Sequence, residues 1–402
     1  MNLNETPSGE RTHIGFFGAR NAGKSSLVNA VAGQDLAVVS EVKGTTTDPV
    51  RKAMELLPLG PVVLIDTPGF DDEGQLGRQR VQKTREILQT CDIAVLVADA
   101  GTGLGETDRQ LLSLIRERGI PFLIAWNKTD LQETLPAPEN AEEVSGLKGI
   151  RIEELKERLA RLIPEKEERK IAGDLVSPGD LCILVCPIDE SAPKGRLILP
   201  QQQTTRDLLD RGALPLVCRD TELETVLGKP GIRPALVITD SQAFRTASAL
   251  VPEEVPLTSF SILMARYKGF LETAVQGIRT VKHLQDGDRV LLAEGCSHHR
   301  QCNDIGTVKI PRWLQACTGK EIIVETCSGR EFPEDLKAFR LVIHCGGCML
   351  TENAVLARMH QAERQGVPFT NYGIAIAFMT GTLERSLRLF PALHRMLAED
   401  RT

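Results

Sequence analysis

Three cysteines with histidines beside them give this chain the means to hold a soft metal. Cys296-Ser297-His298 and His344-Cys345-Gly346-Gly347-Cys348 each follow a run of strand-forming residues, Asp288-Arg289-Val290-Leu291-Leu292-Ala293 in one case and Leu341-Val342-Ile343 in the other. Thiolates and imidazoles bind zinc or iron–sulfur clusters, whereas carboxylates favour harder ions. Both groups fall at expected strand ends, the edge where parallel sheets take ligands. Good helix formers follow at 351–359, so Cys345 and Cys348 are expected near a helix N-terminus, whose dipole favours a thiolate by about 0.3–1 kcal/mol. Cys302 and Cys317 widen the choice of ligands. Cys327 is the strongest rival, because it too ends an apolar run, Ile322-Ile323-Val324. A closed structural zinc usually joins two short knuckles in a small domain, whereas this segment is long enough to fold without metal.

A second chemistry sits near the start. A short apolar strand, Thr12-His13-Ile14-Gly15-Phe16-Phe17, leads into Gly18-Ala19-Arg20-Asn21-Ala22-Gly23-Lys24-Ser25-Ser26 and then an apolar helix start. Backbone N–H groups of such a loop wrap phosphates, Lys24 reaches the β and γ phosphates, and the Ser25 hydroxyl takes magnesium. Asp66-Thr67-Pro68-Gly69 ends the strand at 62–65, placing Asp66 to hold magnesium through water and the Gly69 N–H to sense the γ phosphate. Asn127-Lys128-Thr129-Asp130 ends the strand at 122–125. A carboxylate at Asp130 accepts two hydrogen bonds from the N1 and N2 edge of guanine, which adenine cannot offer. Ser145-Gly146-Leu147 would bring a backbone N–H to the guanine O6. GTP and GDP are the expected nucleotides.

These motifs resemble the translation-factor-like GTPases of tRNA modification and ribosome assembly. That resemblance implies that Thr46, in Gly44-Thr45-Thr46-Thr47, closes over magnesium, and that Asn21 marks potassium in place of an arginine finger. No glutamine follows Asp66-Thr67-Pro68-Gly69 where Ras-like proteins carry one. Asp72, Glu73 or backbone would then orient the attacking water, and slow turnover is expected.

The elements that must position these groups alternate in type. A strand at 92–98, a helix at 108–118 and an amphipathic closing helix at 151–159, with Ile152, Leu155 and Leu159 on one face, complete the first α/β unit. The charge run at 165–170 reads as its exit. Strands at 181–186, 214–217 and 235–238 with a helix at 204–209 make a small α/β domain, in which Cys182 and Cys186 share a buried face. It shows no catalytic constellation and suits dimerisation. A helix-like stretch is expected over 260–284. At 402 residues the chain exceeds one ordinary core, and the division expected is 1–170, 171–258 and 259–402. No internal repeat is evident.

Composition excludes several classes. A net charge of -6 and 4% aromatic residues give phosphate backbones and bases little to hold, so no nucleic-acid partner is expected. The polar start and the lack of a long apolar run predict neither signal peptide nor membrane span. Ten cysteines without a secretory signal point to reduced thiols in a cytoplasm.

Taken together, the phosphate loop with Asn21, the stretch Ala192-Pro193-Lys194-Gly195-Arg196-Leu197-Ile198-Leu199-Pro200-Gln201 and the Cys-x-His with distant His-Cys-x-x-Cys closely resemble the HydF family of FeFe-hydrogenase maturation GTPases. The resemblance spans nearly the whole chain. It implies a 4Fe-4S cluster on Cys296, Cys345 and Cys348, a homodimer formed through the middle domain, and a scaffold role. The cargo would be a transient diiron subcluster, built with two radical-SAM maturases and delivered to apo FeFe-hydrogenase. Three thiolates leave one iron exchangeable, and His298, His344 and Asp304 are candidates for that position or for tuning hydrogen bonds. The competing expectation is a tRNA-modification or ribosome-assembly GTPase with a zinc-stabilised tail.

Overall fold

The computed structural model describes residues 8–33, 49–57, 59–70, 83–131, 133–162, 169–188, 197–295, 305–329, 331–348 and 350–398. Thr46, Asp72, Glu73, Cys296, His298, Cys302 and Asp304 lie outside them. The chain divides into two compact units, Met1–Glu167 and Glu168–Thr402.

The first unit is built on one sheet. Strands β1 (Thr12–Phe17), β2 (Val50–Leu56), β3 (Gly60–Asp66), β4 (Ile93–Asp99), β5 (Phe122–Asn127) and β6 (Ala141–Glu143) are ordered β2-β3-β1-β4-β5-β6. All neighbours run parallel except β2 with β3. Strands β1, β3, β4 and β5 are apolar almost without alternation and are buried on both faces, as a sheet covered by helices requires. One face packs Leu27, Val31, Leu155 and Leu159 from the helices Lys24–Ala32 and Ile152–Leu162. The other packs Leu111 and Ile115 of the helix Glu106–Glu117. Strand β2, an antiparallel edge, was not foreseen, because its sequence Val-Arg-Lys-Ala-Met-Glu-Leu is polar and half-exposed.

The second unit contains two four-stranded parallel sheets. Strands β7 (Leu181–Val185), β8 (Leu214–Cys218), β9 (Leu236–Thr239) and β10 (Leu257–Ser259) are ordered β10-β9-β7-β8. Strands β11 (Arg289–Ala293), β12 (Ile323–Cys327), β13 (Leu341–His344) and β14 (Phe369–Asn371) are ordered β12-β11-β13-β14. Numbered along the chain within each sheet, both orders are fourth-third-first-second. In each, the first strand leads outward on one side and the third on the other, so a crevice opens between the carboxyl ends of β7 and β9, and of β11 and β13. Strand β10 lies across the expected boundary at 258. Cys182 and Cys186 are buried in one apolar cluster.

The shared topology has a counterpart in the sequence, contrary to the expectation of no repeat. Val255-Pro256-Leu257-Thr258-Ser259 recurs as Val367-Pro368-Phe369-Thr370-Asn371. Ser259 and Asn371 each cap the helix that follows, their side chains accepting the N–H of Ile262 and Ile374. Gly269 and Gly381 end these helices in the left-handed region, and Leu271-Glu272 matches Leu383-Glu384. The two copies pack reciprocally. A Cβ placed on Gly373 would lie 2.2 Å from Cβ of its counterpart Ser261. The helix Leu271–Ile278 packs on β14, and its counterpart Leu383–Leu387 packs on β10. Thr273 Oγ1 donates to Glu363 Oε1 at 3.2 Å, while its counterpart Arg385 donates to the carbonyls of Val251 and Pro252, both at 2.7 Å. Counterparts touching counterparts are what a two-fold relation produces. Only about eight identities in a short window carry the repeat, too few for a periodicity legible along the chain.

The helix-like stretch expected over 260–284 is divided into two helices, Phe260–Tyr267 and Leu271–Ile278, followed by a 3-10 turn at Arg279–His283. Gly269 at φ +78° breaks the first. A Cβ on Gly277 would meet the Phe369 carbonyl oxygen at 2.1 Å. Backbone cannot yield as a side chain can, so Gly277→Ala is expected to cost about 1–3 kcal/mol despite the better helix propensity of alanine. Urea unfolding checks this, and a midpoint at or above that of the wild type contradicts it.

Candidate functional site

The loop between β1 and the helix Lys24–Ala32 is held in an unusual backbone shape. Gly18 has φ +145°, Asn21 φ 64° and Gly23 φ 91°, and a Cβ on Gly18 would sit 2.2 Å from the Val97 carbonyl oxygen. Lys24, only 7% exposed, donates from Nζ to the carbonyls of Gly18 at 3.1 Å and Ala19 at 2.8 Å. These contacts curl the loop around the position an anion takes at the helix N-terminus. Ala22 is buried, Ser26 half-buried and Asn21 exposed.

Ser25 Oγ donates to Asp66 Oδ2 at 2.6 Å, which brings together two of the three sequence-predicted magnesium residues. The other oxygen, Asp66 Oδ1, is buried with no hydrogen-bond partner. Burial pushes this carboxyl above its usual range, while the Ser25 hydroxyl and the Lys24 charge pull the other way. A buried acceptor left open beside a hydroxyl fits a hydrated divalent cation. Gly69 packs on Arg20, its Cβ position 3.0 Å from Arg20 Cα.

Asn127, 2% exposed, ties three elements together. Its Nδ2 donates to the Ala22 carbonyl and its Oδ1 accepts the Gly146 N–H, both at 2.9 Å. Lys128 adopts φ 69° and pairs with Asp99 Oδ2 at 2.5 Å. Asp130 is half-buried, and Ser145, fully buried, accepts the Lys148 N–H at 3.1 Å. Two positions here escaped the sequence reading. Asp108 accepts the Ala19 N–H at 3.3 Å and the Gly105 N–H at 3.0 Å, bracing the phosphate loop from the start of the helix Glu106–Glu117. Its only signal was an acid in a first helical turn. Asp99 carried none beyond ending β4.

The Cys-x-x-Cys loop begins at the crevice between β11 and β13. Their register pairs Ala293 with His344, so both strands end level, and the Cys345 N–H donates to the Ala293 carbonyl at 2.8 Å. Cys345 Sγ then accepts two backbone N–H groups, from Gly295 at 3.0 Å and Gly347 at 3.4 Å. Gly295, the last described residue after β11, is thus tied to the Cys-x-x-Cys loop. Burial raises the Cys345 thiol, and the two N–H groups pull it down. Cys348 lies in a turn before Thr351, which caps the helix Glu352–Arg364.

His344 is fully buried. Its Nδ1 donates to the Cys345 carbonyl at 2.6 Å and its Nε2 accepts from Arg358 at 3.1 Å. Burial and the Arg358 charge lower its pKa to about 3, which keeps the ring neutral. Both ring nitrogens are therefore engaged, and the side chain orients the loop rather than facing outward from it. Arg358, unremarked in the sequence, also donates to the Gly329 carbonyl at 2.5 Å and lies 5.1 Å over the Phe332 ring. Cys327 ends β12 beside this group, and burial pushes its thiol up to about 11. Cys317 is exposed. Among the described residues no three metal-ligating side chains are gathered. Soft sulfur donors, N–H groups aimed at one of them and a neutral imidazole behind fit a thiolate-bound cluster.

Comparison with known proteins separates the two units. Residues 13–128 match the 50S ribosome-binding GTPase family. Residues 171–269 match the hydrogen maturase F dimerization domain, and residues 272–389 match the hydrogen maturase F tetramerization domain. The chain belongs to the hydrogen maturase F family. Relatives by sequence include the tRNA modification GTPase MnmE of Natranaerobius thermophilus, 33% identical over 170 residues, or 42% of this chain and 36% of that protein. Another is the GTPase Der of Leptospira borgpetersenii serovar Hardjo-bovis, 39% identical over 121 residues, 29% and 25% of the two chains. The chain thus spans about a third of the length of the first of these and a quarter of the second. Among solved structures, Aquifex aeolicus Era bound to GDP and aluminium fluoride aligns with TM-score 0.35 and 18% identity over 59% of this chain and 97% of that one. The probable GTP-binding protein engB aligns with TM-score 0.31 and 22% identity over 38% and 98%. The amino-terminal unit carries a P-loop GTPase domain.

Asn127 supports the phosphate loop and the 145–146 segment at once. Asn127→Ala would leave a buried carbonyl and a buried N–H unpaired, at about 1–3 kcal/mol each. The expected result is at least a tenfold loss of GDP affinity with a lowered unfolding midpoint, read by fluorescent-nucleotide titration and thermal melting. Unchanged affinity would contradict it.

Proposed function

We propose that this chain is a GTPase scaffold and carrier for FeFe-hydrogenase maturation. In this reading Gly18, Asn21, Ala22, Gly23, Lys24, Ser25 and Ser26 hold the nucleotide phosphates, Ser25, Asp66 and Thr46 serve magnesium, and Asn21 serves potassium. Asn127, Lys128, Asp130, Ser145 and Gly146 read guanine, and Gly69 senses the γ phosphate. Water attacks the γ phosphorus to give GDP and phosphate, with Lys24 stabilising the charge and Asp72 or Glu73 orienting the water.

The observation that carries the proposal is the pair of backbone N–H groups on Cys345 Sγ, one of them from the neighbour of Cys296. Sulfur placed at a strand-end crevice and approached by amides is held in position to ligate iron, which would supply the deprotonation that burial opposes. Cys296, Cys345 and Cys348 would hold the 4Fe-4S cluster, with His298 or Asp304 as further candidates and His344 as an orienting group. A cubane on three thiolates supplies an iron whose remaining position exchanges ligands. The diiron precursor is then cargo, received with the help of two radical-SAM maturases and passed to apo-hydrogenase. GTP hydrolysis supplies neither electrons nor carbon monoxide, so its use is conformational. The division 1–170, 171–258 and 259–402, a homodimer through the middle segment and a cytoplasmic setting belong to the same reading. Among the described residues no helix is long and apolar enough to cross a membrane.

Four variants test it. Lys24→Ala is expected to abolish GTP hydrolysis and maturation while iron and sulfide content stay at the wild-type level. Cys345→Ser or Cys348→Ser is expected to remove the iron–sulfur absorption while GTP turnover persists. Anaerobically purified, reconstituted wild type that is colourless and rich in zinc would defeat the proposal and favour the tRNA-modification or ribosome-assembly alternative. Turnover that rises when potassium replaces sodium, and loses that response in Asn21→Ala, is the outcome expected for the cation.

A further inference from the structure

Lys268 is 5% exposed, and its ammonium reaches the loop that carries two of the sulfurs. Its Nζ donates to the Gly347 carbonyl at 2.5 Å and to the Leu350 carbonyl at 3.0 Å. The Gly347 carbonyl belongs to the peptide whose nitrogen is that of Cys348, so Lys268 fixes the plane from which Cys348 projects. Gly347 itself stands at φ +61°, and its own N–H faces Cys345 Sγ. One buried cation thus sets the backbone between both cysteines.

Lys268 terminates the helix Phe260–Tyr267, and that terminus is bound to the segment leading out of the GTPase unit. Arg266 donates to the carbonyls of Lys170 and Ile171, each at 3.4 Å, and pairs with Asp174 through both guanidinium nitrogens. Arg169 donates to the Tyr267 carbonyl at 3.4 Å and to Glu352 Oε1 at 2.8 Å. Glu352 is the first residue of the helix that follows the sulfur loop. The same Arg169 guanidinium occupies the space a Cβ on Gly269 would need, 2.8 Å from Nη1. The exit segment therefore touches both chain neighbours of Lys268, Tyr267 and Gly269, and also Glu352 after the sulfur loop.

The internal repeat shows that this arrangement is not a by-product of the fold. The counterpart of Lys268 is Thr380, which bonds only within its own turn, to the Ile376 and Ala377 carbonyls and to Thr382. An exposed pair such as Arg169–Glu352, with side chains 53% and 25% exposed, contributes little to stability. Its weakness suits a contact that is made and broken.

We propose that Lys268 is a positioning residue for the sulfur loop, and that Arg169, at the start of the second unit, couples the state of the GTPase domain to it. The proposal deepens the reading of residues 345–348 as a cluster site and rests on it. When the exit segment is drawn by a nucleotide-dependent change, Arg169 releases Glu352, the terminus of the helix Phe260–Tyr267 shifts, and the peptide before Cys348 loosens.

Amide hydrogen exchange on the full chain tests this, with GDP and with a non-hydrolysable GTP analogue, before and after cluster reconstitution, following the peptide spanning 344–352. In the wild type its exchange is expected to differ between the two nucleotides. Arg169→Ala, at an exposed position where folding is not at stake, is expected to lose that difference. Lys268→Met is expected to raise exchange about tenfold with either nucleotide, and Lys268→Arg to restore part of the protection. Wild-type exchange indifferent to nucleotide, or a full difference retained in Arg169→Ala, overturns the coupling. Wild-type protection in Lys268→Met overturns the positioning role. A wild type that takes up no iron defeats the cluster reading instead, while exchange in the unloaded chain still decides whether the clasp exists.

Discussion

Parallel strand pairing is the constraint on which both sites depend. In a parallel ladder neighbouring strands end on the same side, and the connection that leaves each one must cross over a face before returning. Where two adjacent strands send their connections in opposite directions, their carboxyl ends are left uncovered and a crevice results. In the last sheet that pair is β11 and β13, and their register sets Ala293 beside His344. The Gly295 N–H can reach Cys345 Sγ only because that register holds. A slip of one residue would turn every side chain of β13 to the opposite face and carry the sulfur away.

The same constraint explains how two chemistries coexist in one chain without sharing residues. At the amino-terminal sheet, β1 and β3 end level, which places Asp66 within 2.6 Å of Ser25. Glycine permits the phosphate loop, and buried polar side chains fix it: Lys24 from within, Asn127 from β5 and Asp108 from the helix Glu106–Glu117. In the carboxy-terminal sheet the fixing is done by His344, Arg358 and Lys268, each bonded to backbone carbonyls or to one another. Both loops are thus fixed at their base by buried side chains bonded to backbone carbonyls.

The duplicated sheet adds an evolutionary economy with a physical basis. One four-stranded parallel unit cannot cover both of its faces, and two such units solve this by lending each other a helix, Leu271–Ile278 to β14 and Leu383–Leu387 to β10. Having the same topology, both copies own a crevice. Only the second carries the Cys-x-x-Cys loop; the corresponding turn of the first reads Asp240-Ser241-Gln242, with Asp240 accepting the Gln242 N–H.

Sequence alone determined the local chemistry: which residues can meet phosphate, guanine or a thiophilic metal, and that apolar runs of strand length alternate with helical ones. Those properties are written within a few consecutive residues, so the phosphate loop, Asp66, Asn127 and the Cys-x-x-Cys turn were all legible. The tertiary structure decided what distant segments do to one another. It gave the strand orders, the half-exposed edge strand β2, the break at Gly269, the bracing by Asp108 and Arg358, and the closure of both nitrogens of His344. No local pattern encodes those outcomes, because each arises from packing between residues far apart in the chain, where burial, register and backbone satisfaction are settled together.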